Sequence, residues 1–217
     1  MPLSYSKSET VSDSAIHAAL APFGVSMSDA QLEAIRRYLA LLLRWNQAVS
    51  LTSLTDPAEI LVRHFGESMF AAKFLGIPDG RLADVGSGAG FPGLALKVAC
   101  PDLRILLIES NSKKAAFLSE VKRALGLSQV EVVQRRFEDI RVPPPLAEFI
   151  AARALGNLRK LVNWSSQAVT ARGLVLLWLG LDDAARVLGS KNWIWRPPIP
   201  LPESRRRVLL IGSPRRA

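Results

Sequence analysis

Three observations predict an α/β fold with a mostly parallel sheet, preceded by a helical extension. An apolar strand ends in a carboxylate and runs into a glycine-rich turn, Leu82-Ala83-Asp84-Val85-Gly86-Ser87-Gly88-Ala89-Gly90-Phe91-Pro92-Gly93. From Arg81 to about Gly180, short apolar runs alternate with helical patterns, which implies parallel strands joined by helices. Before Ile77 the apolar residues recur at helical spacing only. The chain therefore divides into an N-terminal helical extension over residues 1–76 and a sheet-based nucleotide-binding domain over 77–217, packed as a single unit.

Residues 1 to about 11 are small and polar and are expected to be mobile, because they offer too little apolar surface to offset the cost of ordering. A short helix from about Asp13 to Ala21 is stopped by Pro22 and Gly24. Ser28-Asp29-Ala30-Gln31 has capping-box spacing, and Leu32, Ile35, Leu39, Leu42 and Leu43 then keep helical intervals through about Val49, with Arg36, Arg37 and Arg44 opposite. Asp56-Pro57-Ala58-Glu59 combines a cap, a first-turn proline and an acid, and opens a helix that ends near Gly76.

After the strand to Val85 the pattern predicts a helix from about Pro92 to Ala99, with the proline at its first position, and a strand at 104–109. A helix follows from Ser112 to Leu125, closed by Gly126, then a strand at 130–133. A fourth strand at 149–152, a helix from Asn157 to Val169 and a fifth strand at 174–178 continue the alternation. Pro143-Pro144-Pro145 reads as a linker before the fourth strand. The tail differs, because Trp193-Ile194-Trp195 and Arg207-Val208-Leu209-Leu210-Ile211 flank a proline-rich connection and should pair as an antiparallel hairpin, giving seven strands in all. There is no internal repeat, and only the arginine-rich 205–216 segment is compositionally biased.

With 217 residues and 49% hydrophobic content, the chain can bury one good core. No apolar run reaches transmembrane length and the first residues lack a signal peptide's pattern, so a soluble, cytoplasmic protein is expected, and a monomer. One cysteine, Cys100, excludes an internal disulfide, and with only His17 and His64 beside it no zinc-ligand set is expected. A net charge of +9 points to a polyanionic partner, with a merely soluble basic surface as the alternative.

The loop chemistry narrows the ligand. Gly86, Gly88 and Gly90 lack the Cβ that would block a tight turn or a close approach to a nucleotide cofactor. The dinucleotide fingerprint is G-x-G-x-x-G, whereas this loop is D-x-G-x-G-x-G. A carboxylate at Asp84 is awkward beside a pyrophosphate and suits a cofactor carrying ammonium and sulfonium cations, S-adenosyl-L-methionine (SAM). Glu109 ends an apolar run about 20 residues further on, where it can accept ribose hydroxyls, a feature that NAD sites share. Five parallel strands finished by a hairpin is the layout of a class I SAM-dependent methyltransferase with a Rossmann-like sheet.

Trp45-Asn46, Leu51-Thr52, Asp56-Pro57, Leu61-Val62-Arg63-His64, the Asp84 to Gly93 loop and Arg153-Ala154 together resemble the RsmG (GidB) family of 16S rRNA guanine-N7 methyltransferases, over about residues 30 to 180. The resemblance implies methylation at position 527 of the rRNA, with 16S rRNA or an assembling small ribosomal subunit as partner, and the cysteine and histidine count leads to no expected metal. It implies that Gly86 and Phe91 contact the cofactor, that Phe137 and Glu138 hold its adenine end, and that Arg153 lies at the active site, where it serves as both catalytic and cofactor-binding residue. Lys113, Lys114 and Arg136 match basic positions implicated in the family's function, here read as RNA-binding, with Arg205-Arg206-Arg207 a weaker candidate. The chain departs from the family where Trp178-Leu179-Gly180 replaces the usual Lys-Gly, where Ala152-Arg153-Ala154 replaces Ser-Arg-Ala, and where an aspartate before the fourth strand is absent, with Glu148 nearby.

Guanine N7 carries a lone pair and no proton, so its methylation needs positioning and no general base, and none is evident in the sequence. Arg153 could orient the guanine or hold a phosphate, or form a structural ion pair. Cys100 is expected to be buried and inert at the end of the first sheet helix, and His64 to be either a substrate contact or a satisfied helical histidine. Trp193 and Trp195 either stack on a base or cover core. Two other readings stay open: a small-molecule methyltransferase or NAD-type oxidoreductase, and a non-catalytic RNA-binding protein on the same fold.

Overall fold

The computed structural model describes residues 11–141, 145–154 and 156–215. The mobile segment expected at the N-terminus lies outside them up to residue 10, as do residues 143 and 144 of the proline linker and residue 216 of the arginine-rich tail.

Helix α1 (Asp13–Leu20) is capped by Ser12, whose side chain accepts from the Ala15 N–H, and a 3-10 turn Ala21–Phe23 ends it at Gly24. Helix α2 (Asp29–Asn46) starts with the expected capping box: Ser28 Oγ accepts from Gln31 N–H and Gln31 Oε1 from Ser28 N–H. Its apolar face buries Leu32, Ile35, Leu39 and Leu42, together with Tyr38, while Arg36 pairs with Glu33 and Asp13 on the outside. Asp56 caps the next helix as predicted, but the run is not uniform. It passes from α3 (Pro57–Ile60) through a π-helical stretch, Leu61–Gly66, into α4 (Glu67–Met69) and a final 3-10 stretch, Phe70–Phe74. Short π segments widen the helix and are often found at functional sites.

The sheet carries β1 (Arg81–Val85), β2 (Arg104–Ile108), β3 (Val130–Val133), β4 (Ala147–Arg153), β5 (Val169–Gly180), β6 (Trp193–Trp195), β7 (Ile199–Pro200) and β8 (Arg207–Pro214). Its order is β3-β2-β1-β4-β5-β8-β6, parallel up to β5 and antiparallel at β8 and β6. The hairpin partners predicted at the tail do pair. The seven-strand expectation is corrected to eight, because two residues of the proline-rich connection also add to β8.

Side chains alternate between the faces. Leu82, Ile105, Leu107, Phe149, Ala151, Leu176, Trp178, Leu209 and Ile211 join the N-terminal helices, α5 (Gly93–Ala99) and α6 (Ser112–Ala124) in one core. Ala83, Val85, Leu106, Ile150, Val175, Leu177 and Leu210 form a second core with α7 (Leu158–Ala168) and α8 (Leu181–Leu188). Two local expectations need correction. Pro92 is the cap before α5 and not its first residue, and α8, whose apolar residues occupy little more than two turns, was not anticipated. No helix among the described residues is long and apolar enough to cross a membrane.

Candidate active site

The glycine turn joins β1 to α5 with Gly86, Gly88 and Gly90 all at positive φ (70°, 55° and 86°), a backbone that other residues rarely adopt. Two carboxylates hold its shape. Asp84, fully buried, accepts the Gly93 N–H through Oδ2 at 2.9 Å and so ties the start of α5 to the end of β1. Glu109, at the end of β2, accepts the Gly88 N–H through Oε2 (2.9 Å) and the Asn111 N–H through Oε1 (2.8 Å). Each Glu109 oxygen keeps a second lone pair for a ligand. Burial pushes Asp84 up to about 7, with Glu109 adding to the shift and the Gly93 and Ser87 hydrogen bonds opposing it. Its Oδ1 is buried with no hydrogen-bond partner among the described residues.

Behind the turn stands the N-terminal extension. Tyr38 donates its hydroxyl to the Ala89 carbonyl at 2.5 Å. Phe91 stacks between Tyr38 (5.2 Å, 1° between planes) and the His64 ring (4.7 Å, 21°), with Phe65 edge-on at 5.1 Å. The Phe91 side chain is thus enclosed by other aromatic rings, so a cofactor contact from this residue, as the family resemblance implies, falls to its backbone. Gly90 is compelled by the same packing: a Cβ there would lie 2.2 Å from Tyr38 Oη and 2.7 Å from Leu94 Cδ1.

In front of the turn a cleft of about 270 Å³ opens at the C-terminal ends of the first strands. Gly86, Ile108, Ser110, Arg135, Arg136, Phe137, Glu138, Gly156 and Asn157 line it. The structure therefore brings four sequence-predicted residues, Gly86, Phe137, Glu138 and Arg136, onto one opening, as expected for the mouth of a parallel sheet. Phe137 also packs edge-on against Trp164. Lys113 and Lys114 lie at the start of α6, just past Glu109, the first exposed and the second half-buried.

Arg153 ends β4 and faces the extension's side of the sheet. It forms a buried ion pair with Glu67, Nη2 to Oε2 at 3.1 Å, while Arg207 grips Glu67 Oε1 through Nε (2.9 Å) and Nη2 (2.5 Å). Burial lowers the Arg153 pKa, and Glu67 opposes that shift. Trp178, where the family's pattern departs, donates Nε1–H to the Glu67 carbonyl (2.7 Å). Opposite Gly180 in the antiparallel register stands Arg207, so β8 delivers a cation beside the position where the sequence lacks lysine. Glu67 and the Tyr38 contact were not singled out from the sequence, and no local signal marks them, since their partners lie far along the chain.

His64 is neutral at ordinary pH, its pKa lowered to about 3 by burial and by the Arg153, Arg63 and Arg207 charges. Its Nε2 lies 2.7 Å from Thr52 Oγ1, so the bonded reading fits, although Nδ1 has no partner among the described residues. Cys100 is half-buried at the end of α5, away from the cleft, and burial raises its thiol pKa. Trp193 and Trp195 stack on one another at 5.1 Å, with Trp195 over Gly212, and so cover core. Glu148, at the opposite end of the sheet, accepts the Arg81 N–H. No group of side chains among the described residues could hold a metal ion.

Residues 31–192 match the family described as GidB, rRNA small subunit methyltransferase G. A ribosomal RNA small subunit methyltransferase G from Roseiflexus castenholzii is 43% identical over 201 residues, covering 87% of this chain and 86% of that protein. The Xylella fastidiosa (strain M23) protein of the same name is 43% identical over 143 residues, and the match spans 66% of each chain. Among solved structures, a SAM dependent methyltransferase from Aquifex aeolicus superposes with a TM-score of 0.61 at 16% identity over 75% of this chain and 96% of that one, a likeness of fold alone.

Proposed function

Because the chain belongs to the GidB family, rRNA small subunit methyltransferase G, we propose that it transfers a methyl group from SAM to N7 of a guanine in 16S rRNA, at position 527 by family resemblance. The observation that carries this reading is the cleft in front of a glycine turn whose shape is held by Asp84 and Glu109.

The residues present fit SAM. Asp84 leaves one buried carboxylate oxygen without a partner, which suits a nearby cation. Gly88 leaves open the space a side chain would fill, with only the Gly86 carbonyl, at 3.8 Å, near a Cβ placed there. Gly86, Gly88 and the Phe91 backbone would hold the methionine end, Glu109 the ribose, and Phe137 with Glu138 the adenine. When bound, SAM supplies an electrophilic methyl on a sulfonium.

The protein's own part is positioning. N7 has no proton to lose, and the nearest basic candidate, His64, is engaged with Thr52 and held neutral. Rate enhancement then comes from aligning N7 with the methyl–sulfur bond in a site that favours the neutral thioether product. Arg136, at the cleft's rim, and Lys113 and Lys114, at the start of α6, would hold RNA phosphates. The protein acts in the cytoplasm, where its substrate is made.

Methyl transfer to undermodified 16S rRNA, and separately to assembling small subunits, tests the reading, with 7-methylguanine the expected product base. Absence of transfer to both, or calorimetric binding of NAD in place of SAM, would overturn it.

A further inference from the structure

Where the π-helical stretch meets β4 and β8, Arg153 and Arg207 pair with buried Glu67, and a third guanidinium, Arg63, stands on the same helical run. Arg207 occupies Oε1, and Arg153 lies 3.1 Å from Oε2 as an ion pair without a hydrogen bond, so that Oε2 too is unpartnered among the described residues. Arg63, four residues before Glu67, is held at its far end by Glu59 (2.5 Å). These pairs leave donors over. Arg153 Nη1 and Arg63 Nε are buried with no hydrogen-bond partner among the described residues, and so is His64 Nδ1. The Thr52 hydroxyl accepts from the Leu54 N–H and shares a second hydrogen bond with His64 Nε2, in which the ring's tautomer sets the donor.

A buried donor without an acceptor costs about 1–3 kcal/mol, and more when charged. Two such donors, both on permanent cations, mark a place that suits something that brings oxygen acceptors. Three arginines face two carboxylates, so the incoming group is favoured if it is negative. Arginine's planar fork matches a phosphate or a carboxylate. A guanine edge is the poorer occupant, since arginine reads guanine through O6 and N7 and would cover the reacting atom.

We propose that Arg63 and Arg153 bind one backbone phosphodiester of the RNA substrate, next to the reacting guanine, with Glu67 and Arg207 as positioning residues that hold the Arg153 guanidinium in place. The inference rests on the rRNA reading and deepens it. The site is distinct from the rim cations, because it sits on the extension's side of the glycine turn.

Binding of undermodified 16S rRNA across a KCl series tests this. Removing one phosphate-binding cation should make the slope of log affinity against log salt shallower by about 0.7–0.9. Arg63→Gln should show that change with SAM affinity unaltered, and Arg63→Lys should keep the slope. Inorganic phosphate should compete with the RNA and not with SAM. Glu67→Gln should raise KM for RNA more than it lowers kcat, which loss of stability alone would not do. An unchanged slope in Arg63→Gln would overturn the proposal, as would a fall in SAM affinity with the slope intact, which would assign the donors to the cofactor's carboxylate. Should wild-type protein bind rRNA with the predicted slopes and yet transfer no methyl group, the methyltransferase reading fails and the phosphate site stands.

Discussion

The glycine turn has a back and a front, and the two are made of opposite kinds of residue. Behind it, Tyr38, Phe65, Phe91 and His64 interlock at ring distances of 4.7–5.2 Å, and one hydroxyl fixes the Ala89 carbonyl. In front, Ser110, Arg135, Arg136 and Glu138 are exposed around an opening. Around Tyr38, Phe65 and Phe91 the back has little freedom to rearrange, because closely packed aromatic rings leave little space. The front retains side-chain freedom and water, which a ligand can displace. Changes behind the turn should therefore act through its shape and the stability of the fold, and changes in front should act on ligand affinity.

The largest effect belongs at the boundary. Gly90→Ala must meet Tyr38 Oη and Leu94 and hold a left-handed φ, so we expect a loss of about 3–5 kcal/mol in urea unfolding, together with loss of SAM binding. Adding Tyr38→Phe removes the nearest clashing atom and should restore part of the loss. Simple additivity of the two changes would show that the packing behind the turn is looser than these distances imply.

pH sharpens the contrast. Asp84 titrates near 7 in the fold against 3.8 ordinarily, so between about pH 4 and 7 the folded state holds a proton the unfolded chain has lost, and stability falls as pH rises. His64 works the other way. With a folded pKa of about 3 against 6.5, the unfolded chain binds the extra proton between those values, and stability falls as pH drops. The two slopes, each up to about 1.4 kcal/mol per pH unit, oppose one another from about pH 4 to 6.5. Asp84→Asn should make acid more damaging across that window, and His64→Gln should make it less so. Parallel stability-pH curves for wild type and both variants would contradict this.

Glu109→Ala acts at the front and in the turn together, removing the Gly88 bond and the ribose contact. SAM affinity should fall by about 1–3 kcal/mol, measured by calorimetry. The smallest effect on the cofactor is expected for Lys113→Ala with Lys114→Ala. SAM affinity should stay nearly constant while RNA binding weakens and its salt slope flattens. A drop in SAM affinity in that pair would move α6's first turn into the cofactor site.

The same two sides differ in how far the sequence announced them. The front was legible: three glycines at fixed spacing and an acid at each strand end are local patterns, the family resemblance pointed to Phe137, Glu138 and Arg136, and Gly86, Phe137, Glu138 and Arg136 line one cleft. The back was not, because Tyr38 reads as one more apolar position of α2, and its partner Ala89 lies 51 residues away. The brief α8 and the two-residue β7 were missed because so few residues carry no clear period. The π-helical stretch was missed because Leu61 to Gly66 keeps ordinary helical composition.

By itself the sequence determined what is decided within a few residues: the Ser28 and Asp56 caps, the alternation that puts Leu82 and Ala83 on opposite faces, the glycine turn, and the succession of parallel strands with an antiparallel finish. Tertiary structure alone decided that Glu67 holds Arg153 and, across 140 residues, Arg207, and that Tyr38 sets the turn. The reason is one of distance. Caps and periodicity are energies of neighbouring residues and can be read in order, whereas a buried charge or hydroxyl takes whatever partner chain closure brings within about 3 Å, and desolvation then makes that pairing obligatory.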